Sequence, residues 1–185
     1  MYNLLKVVIV IFLLLYPILI YFGLNYFSPS QLGIFFLVLF AIRSVFARTK
    51  STSARWQLIF TVAIGGTLAA LTWIYNSKEF LLWYPVGLNV TFLIIFASSL
   101  LFPPSIIERI ARTFHKNFPE SAVSYTRKVT IVWTIFFAIN IFVSGWTVLH
   151  GDMEIWTLYN GLISYIIVGI LLGAEFVVRK ITKQQ

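Results

Sequence analysis

The feature that most limits this chain is the length of its uninterrupted apolar runs. Residues 7–24 read VVIVIFLLLYPILIYFGL without a single charge. A run of about 18 apolar residues, wound as a helix, is long enough to cross a hydrocarbon core of about 30 Å. Such runs recur near residues 4–25, 31–47, 56–76, 80–101, 128–149 and 155–178, divided by segments that hold most of the charged residues. In lipid an open strand would leave its backbone N–H and C=O groups unpaired at several kcal/mol apiece, so each span must be a helix. The expected fold class is therefore all-α. Residues 1–185 read as one polytopic integral membrane domain of about six transmembrane helices, with a cytoplasmic amphipathic connector helix within 102–127.

Composition agrees: 59% of the residues are hydrophobic and 11% charged, more apolar surface than a soluble core of this size could cover. There is no cysteine, which removes disulfides, thiolate metal sites and cysteine nucleophiles. The first run is longer than the apolar region of a secretory signal and no small-x-small cleavage site follows it, so it reads as an uncleaved helix bent near Pro17.

Of the 14 Lys and Arg residues, thirteen fall on one side of these spans. They are Lys6, then Arg43, Arg48, Lys50 and Arg55 around the second connector, Arg109, Arg112, Lys116, Arg127 and Lys128 in the fourth, and Arg179, Lys180 and Lys183 at the end. Lys78 alone lies opposite. Short connectors that stay in the cytoplasm retain positive charge, which places both termini there. The tryptophans point the same way, since indole rings favour the headgroup layer: Trp56 and Trp133 fall near the inner boundary, Trp73, Trp83, Trp146 and Trp156 near the outer one. The outer turns WIYNSKEFLLW and WTVLHGDMEIW share their tryptophan spacing and an acid at the sixth position between, Glu79 or Asp152. Either a duplicated helix pair or two tryptophan belts around short turns produces that pattern.

The segment LFPPSIIERIARTFHKNFPE, residues 101–120, is the least apolar long stretch. Pro103 and Pro104 end the preceding span, Ser105 and Glu108 have the spacing of a capping box, and Pro119 closes the segment. Ile106, Ile107, Ile110, Ala111, Phe114 and Phe118 recur every three or four residues, with Glu108, Arg109, Arg112, His115 and Lys116 opposite. Such a helix lies along the inner leaflet with its cations on anionic headgroups. It is either a spacer or a docking element whose contacts with partner or lipid are Arg109, Arg112 and Lys116.

Within the spans, Gly65 and Gly66 precede Ala69 and Ala70 by four residues and Gly169 precedes Gly173 by four, the small-residue spacing of close helix contact, which allows a homo-oligomer. Asn89, Ser98, Ser99, Asn140, Ser144 and Asn160 lie at membrane depth and are expected to bond between helices or to line a small wet cavity. Glu175 is the one carboxylate inside a span, so Asn89, Asn140 and Glu175 form a candidate intramembrane polar site, unless Glu175 pairs with Arg179 one turn on. His150, Asp152, Glu154 and Glu79 match no recognised metal spacing and read as solvated turn residues. No cofactor, metal or nucleic-acid partner is expected. No Walker loop, G-x-S-x-G or H-E-x-x-H occurs, and no acid and base can be named for catalysis.

Gly65-Gly66, NSKEFLLWYP from Asn76 to Pro85, Pro104 with Arg109, WTIFF from Trp133 to Phe137 and IWTLYNG from Ile155 to Gly161 together resemble the bacterial inner-membrane intracellular septation family (YciB-like), as a distant relative or sister family. The resemblance covers about the C-terminal two thirds of the chain, in the same order. It implies a multispanning inner-membrane protein working with envelope or division proteins in envelope synthesis, cell shape or septation, and supplies no catalytic residue. Two functions follow as expectations: a non-enzymatic scaffold docked through its basic cytoplasmic face, or a small transporter or lipid-handling protein with a polar path inside the bundle.

Overall fold

A computed structural model describes Phe12 and residues 15–46, 52–114 and 119–182. Among them every regular element is helical: α1 (Tyr16–Gly23), α2 (Pro29–Phe46), α3 (Thr52–Tyr75), the single turn α4 (Glu79–Leu82), α5 (Tyr84–Leu101), α6 (Ile106–Phe114), α7 (Glu120–His150), α8 (Met153–Leu158), a π turn (Tyr159–Ile163) and α9 (Ser164–Thr182).

Four helical stretches are long and apolar enough to cross a membrane: Leu58–Tyr75, Glu79–Leu101, Ala122–His150 and Met153–Val178. Of the other two expected spans, one falls short of that measure and one is mostly undescribed. The apolar part of α2, Pro29–Val45, covers only about 26 Å at 1.5 Å per residue, and most of the expected span 4–25 lies outside the described residues. Large apolar side chains cover the outer surface; Phe142, Leu149 and Ile170 are all exposed, as suits a molecule whose solvent is hydrocarbon.

The helices pack as two close antiparallel pairs, α2 with α3 and α5 with α7, and α3 joins them by meeting α5. Small residues set the first contact. A Cβ at Gly33 would stand 2.8 Å from the Ala69 carbonyl oxygen and the Trp73 nitrogen, and one at Gly65 would collide with the Phe40 ring. Gly65 and Ala69 thus make the close approach their spacing implies, whereas Gly66, Gly169 and Gly173 have nothing within 4 Å of a Cβ position.

Turns tie these pairs together. Ser28 and Gln31 form a reciprocal capping box at the start of α2: Ser28 N–H donates to Gln31 Oε1 at 2.9 Å and Gln31 N–H to Ser28 Oγ at 3.3 Å. Ser30 N–H, another donor without a helical partner, bonds Asn76 Oδ1 at 3.0 Å. Asn76 itself ends α3 with a left-handed φ of 49°, which Asn tolerates through its short polar side chain. Gly151 ends α7 in the same way with φ 80°.

The break between α4 and α5 has a clear cause. Pro85 has no N–H to offer the Leu81 carbonyl four residues back, and Tyr16 takes that acceptor with its hydroxyl at 2.9 Å. Trp156 donates its indole N–H to the adjacent Leu82 carbonyl at 3.1 Å. Tyr16, Leu81, Leu82, Tyr84 and Trp156 therefore form the heart of the buried core, together with Ile20, Phe36 and Phe40.

That core separates the tryptophans by burial. Trp73, Trp83 and Trp146 are exposed, but Trp156 is fully buried by its bond to Leu82, and Trp133 is buried among Phe96, Phe136 and Phe137. The side chain of Trp56 lies outside those described.

The connector also departs from expectation. The Ser105–Glu108 capping box does not form: Ser105 Oγ is buried without a partner, and Glu108 Oε1 accepts two bonds from Arg112, at 2.9 Å and 2.7 Å. Ser99 of α5 stands in, accepting the Ile106 N–H at 3.0 Å. Glu108 is buried while Ile110 is exposed, so α6 turns an ion-paired carboxylate inward as it packs on α7 and leaves an isoleucine outside. Pairing with Arg112 balances the charge and permits the burial.

Candidate functional site: a polar cavity within the bundle

Two polar clusters bridge α7 to its neighbours. In the first, Asn160 Oδ1 accepts the Ser144 hydroxyl at 2.6 Å, while Asn160 Nδ2 donates to Thr147 Oγ1 at 3.2 Å and to the Trp156 carbonyl at 2.9 Å. Thr147 in turn donates to the Ser144 carbonyl at 2.7 Å. Ser144, Thr147 and Asn160 are all buried, and the Asn160 side chain is satisfied at both ends.

In the second, Tyr159 donates its hydroxyl to Asn140 Oδ1 at 2.6 Å, Asn140 Nδ2 donates to Asn89 Oδ1 at 3.0 Å, and Asn89 Nδ2 donates to the Pro85 carbonyl at 2.8 Å. This chain joins α5, α7 and the π turn. In the π turn the Ser164 N–H reaches back five residues to the Tyr159 carbonyl, and the Ser164 hydroxyl takes the Asn160 carbonyl at 3.2 Å. The wider turn directs the consecutive Tyr159 and Asn160 to separate acceptors on one neighbouring helix, a placement for which single π turns in α-helices are often used.

Asn89 and Asn140, with Asn160, border a cavity of about 270 Å³ between α1, α2, α3, α5, α7, the π turn and α9. Its walls are aromatic and aliphatic, with Tyr16, Phe92, Phe136 and Val168 among them. Arg43 of α2 also lines it, and the Arg43 Nε is buried with no hydrogen-bond partner among the described residues. Helical side chains point back toward the N-terminus of their helix, so Arg43, near the end of α2, is directed along the bundle rather than toward the connector that follows. It was counted above with the connector charges. The signal that could have found it was present, because Arg43 lies inside the expected span 31–47.

Of the expected intramembrane site, Asn89 and Asn140 come together and Glu175 stands elsewhere. The Glu175 carbonyl accepts the Tyr125 hydroxyl at 3.2 Å, Glu175 does not line the cavity, and the expected pairing with Arg179 falls on a side chain outside those described. The expectation of bonds between helices holds for Asn89, Asn140, Ser144 and Asn160. Ser98 and Ser99 donate to carbonyls three residues back, at 3.1 Å and 2.8 Å, the local bond open to a hydroxyl within a helix; both line a second cavity, and Ser99 also accepts the Ile106 N–H of α6.

Two of the three connector cations expected to contact a partner are engaged within the fold. Arg109 donates from Nε to the Pro104 carbonyl at 2.7 Å and from Nη2 to the Phe102 carbonyl at 3.0 Å, closing the turn after α5, and Arg112 holds Glu108. Lys116 and His115 lie outside the described residues. In the outer turn, Asp152 Oδ1 accepts the Glu154 and Ile155 N–H groups at 2.7 Å and 3.0 Å and so caps α8. The bonds from Ile155 and Glu154 hold its carboxyl below the ordinary carboxylate range. His150 stacks on Trp146 at 4.9 Å between ring centres. Among the described residues no three His, Asp or Glu side chains gather as a metal site.

No family model, curated protein or solved structure matches this chain.

Proposed function

We propose that the chain is a six-span protein of a bacterial inner membrane, with both termini in the cytoplasm, which binds an amphiphilic ligand inside its helix bundle in the service of envelope synthesis, cell shape or septation. The single observation that carries the binding role is the Tyr159–Asn140–Asn89 chain on the wall of a 270 Å³ cavity. Polar groups at membrane depth are retained where they bond to one another or face a ligand or water, and here one line of them does the first while bordering space for the second. An apolar wall opposite suits a molecule with a hydrocarbon part.

The alternative of a scaffold docked through the connector has less support. Removing Arg109 or Arg112 would undo the turn after α5 or strand the buried Glu108, so those cations already have structural employment. The envelope setting rests on the resemblance alone. Many of its residues lie where the bundle is built: Gly65 at the α2–α3 contact, Pro85 at the helix break, Phe136 and Phe137 on the cavity, and Trp156 and Asn160 in the buried core.

The absence of cysteine makes topology directly measurable. Single cysteines at Lys78 and Gln185 should label from opposite sides of the membrane; labelling from the same side contradicts the proposed orientation. For the binding role, lipid extracted with the purified protein should include an amphiphile that is depleted in Val168→Trp, which places an indole in the cavity and leaves the residues of the polar chain in place. Equal recovery from both proteins contradicts a cavity ligand.

A further inference from the structure

We propose that the cavity holds the phosphate headgroup of an anionic membrane lipid, with Arg43 as its anchor; this rests on the reading of the cavity as a ligand site and names the ligand's class. Arg43 is a permanently charged group lining a space formed inside the helix bundle. The chain has six acidic residues, and none of them lines that space. The one ion pair among the described residues belongs to Arg112 and Glu108. A cation held in an apolar surrounding near the end of a helix usually finds relief by extending toward the interface. The direction of Arg43 along α2 opposes that escape, and its buried Nε has no acceptor.

The remaining walls indicate what would complete the site. Asn89 and Asn140 each donate one amide N–H within the polar chain, and each carboxamide has a second N–H to give. A guanidinium fork and amide donors together suit the oxygens of a phosphate, which accepts charge-assisted bonds from several directions. Phe92, Phe136 and Val168 offer nothing to an anion but suit the first carbons of an acyl chain. A free inorganic anion would use one half of this lining; a phospholipid headgroup with its attached chains uses both.

The test is native mass spectrometry of the full-length protein with dioleoyl-phosphatidylglycerol, with dioleoylglycerol, which has the same chains and no phosphate, and with inorganic phosphate. One copy of phosphatidylglycerol should bind saturably and at least about tenfold more tightly than dioleoylglycerol or inorganic phosphate, the scale of a charge-assisted contact. Arg43→Gln should lose about that factor, and Arg43→Lys, which retains charge without the fork, should fall between. Thermal unfolding of each variant without lipid checks that the fold is intact; Arg43→Gln removes a cation with no ion pair among the described residues and should unfold no earlier than the wild type. Retention of phosphatidylglycerol by Arg43→Gln together with its loss in Val168→Trp would overturn the anchor and leave the cavity reading in place. Unchanged binding in both variants would overturn the two together, and tighter binding of inorganic phosphate than of the lipid would overturn the lipid headgroup as ligand.

Discussion

The two asparagine clusters, a few residues apart along α7, both reach the cavity through an asparagine, but they differ in how much hydrogen-bonding capacity they leave unused. Asn160 has its carboxamide fully engaged, with Ser144, Thr147 and the Trp156 carbonyl as partners. Asn140 lies in a chain that runs along a cavity wall, across from a guanidinium whose Nε has no acceptor. One cluster consumes its hydrogen-bonding capacity inside the protein and therefore holds helices together. The other keeps some in reserve, which is the condition for recognising something else.

Breaking the closed cluster should have the largest effect. Asn160→Leu removes the partner of the Ser144 hydroxyl and a donor to the Thr147 hydroxyl in a buried site, at about 1–3 kcal/mol, and should lower the unfolding midpoint in detergent more than any change at Asn140. A wild-type midpoint would remove the structural role assigned to it. Tyr16→Phe comes next: it leaves the Leu81 carbonyl, already deprived of a donor by Pro85, without its hydroxyl, at about 0.5–1.5 kcal/mol in the same unfolding assay. The open chain should be worth less. A double-mutant cycle on Asn89→Ala and Asn140→Ala should return a coupling of about 0.6 kcal/mol, the average for polar contacts between membrane helices; a value of several kcal/mol would place this pair with the closed cluster.

The smallest effect lies at the outer turn, away from both clusters. Asp152 titrates below its ordinary value when folded. Its stabilising contribution is therefore full above the unfolded carboxylate range and is lost as pH falls through the folded value. Amide exchange in Met153–Leu158 should accelerate at acid pH relative to α7, and Asp152→Ala should show the faster exchange at neutral pH with no further acid-dependent step.

How far these differences could be read in advance depends on what each residue type demands. Asn89, Asn140, Ser144 and Asn160 had to find partners, because a polar group in hydrocarbon cannot go unsatisfied, and a glycine-alanine spacing such as Gly65–Ala69 has one common use. Trp83 and Trp156 occupy matching places in similar turns, yet one is exposed and the other buried. The ends of an apolar run are legible in sequence; rotation about a helix axis is set by tertiary contacts such as the Leu82 carbonyl. Ser105–Glu108 and Ser28–Gln31 both have capping-box spacing, and only the second closes, because Glu108 has Arg112 one turn on. Arg43 looked like another connector charge until α2 carried it through the boundary and turned it inward.

The division between the clusters is tested most directly by lipid-dependent stability. At phosphatidylglycerol concentrations about 100 times the dissociation constant, a single-site ligand adds about 2.7 kcal/mol to the folded state. Unfolding of wild type, Asn160→Leu and Asn140→Ala should be compared with and without the lipid. The account predicts that Asn160→Leu starts lowest and keeps the full increment, while Asn140→Ala starts near wild type and loses much of it. Equal increments in all three proteins would contradict it.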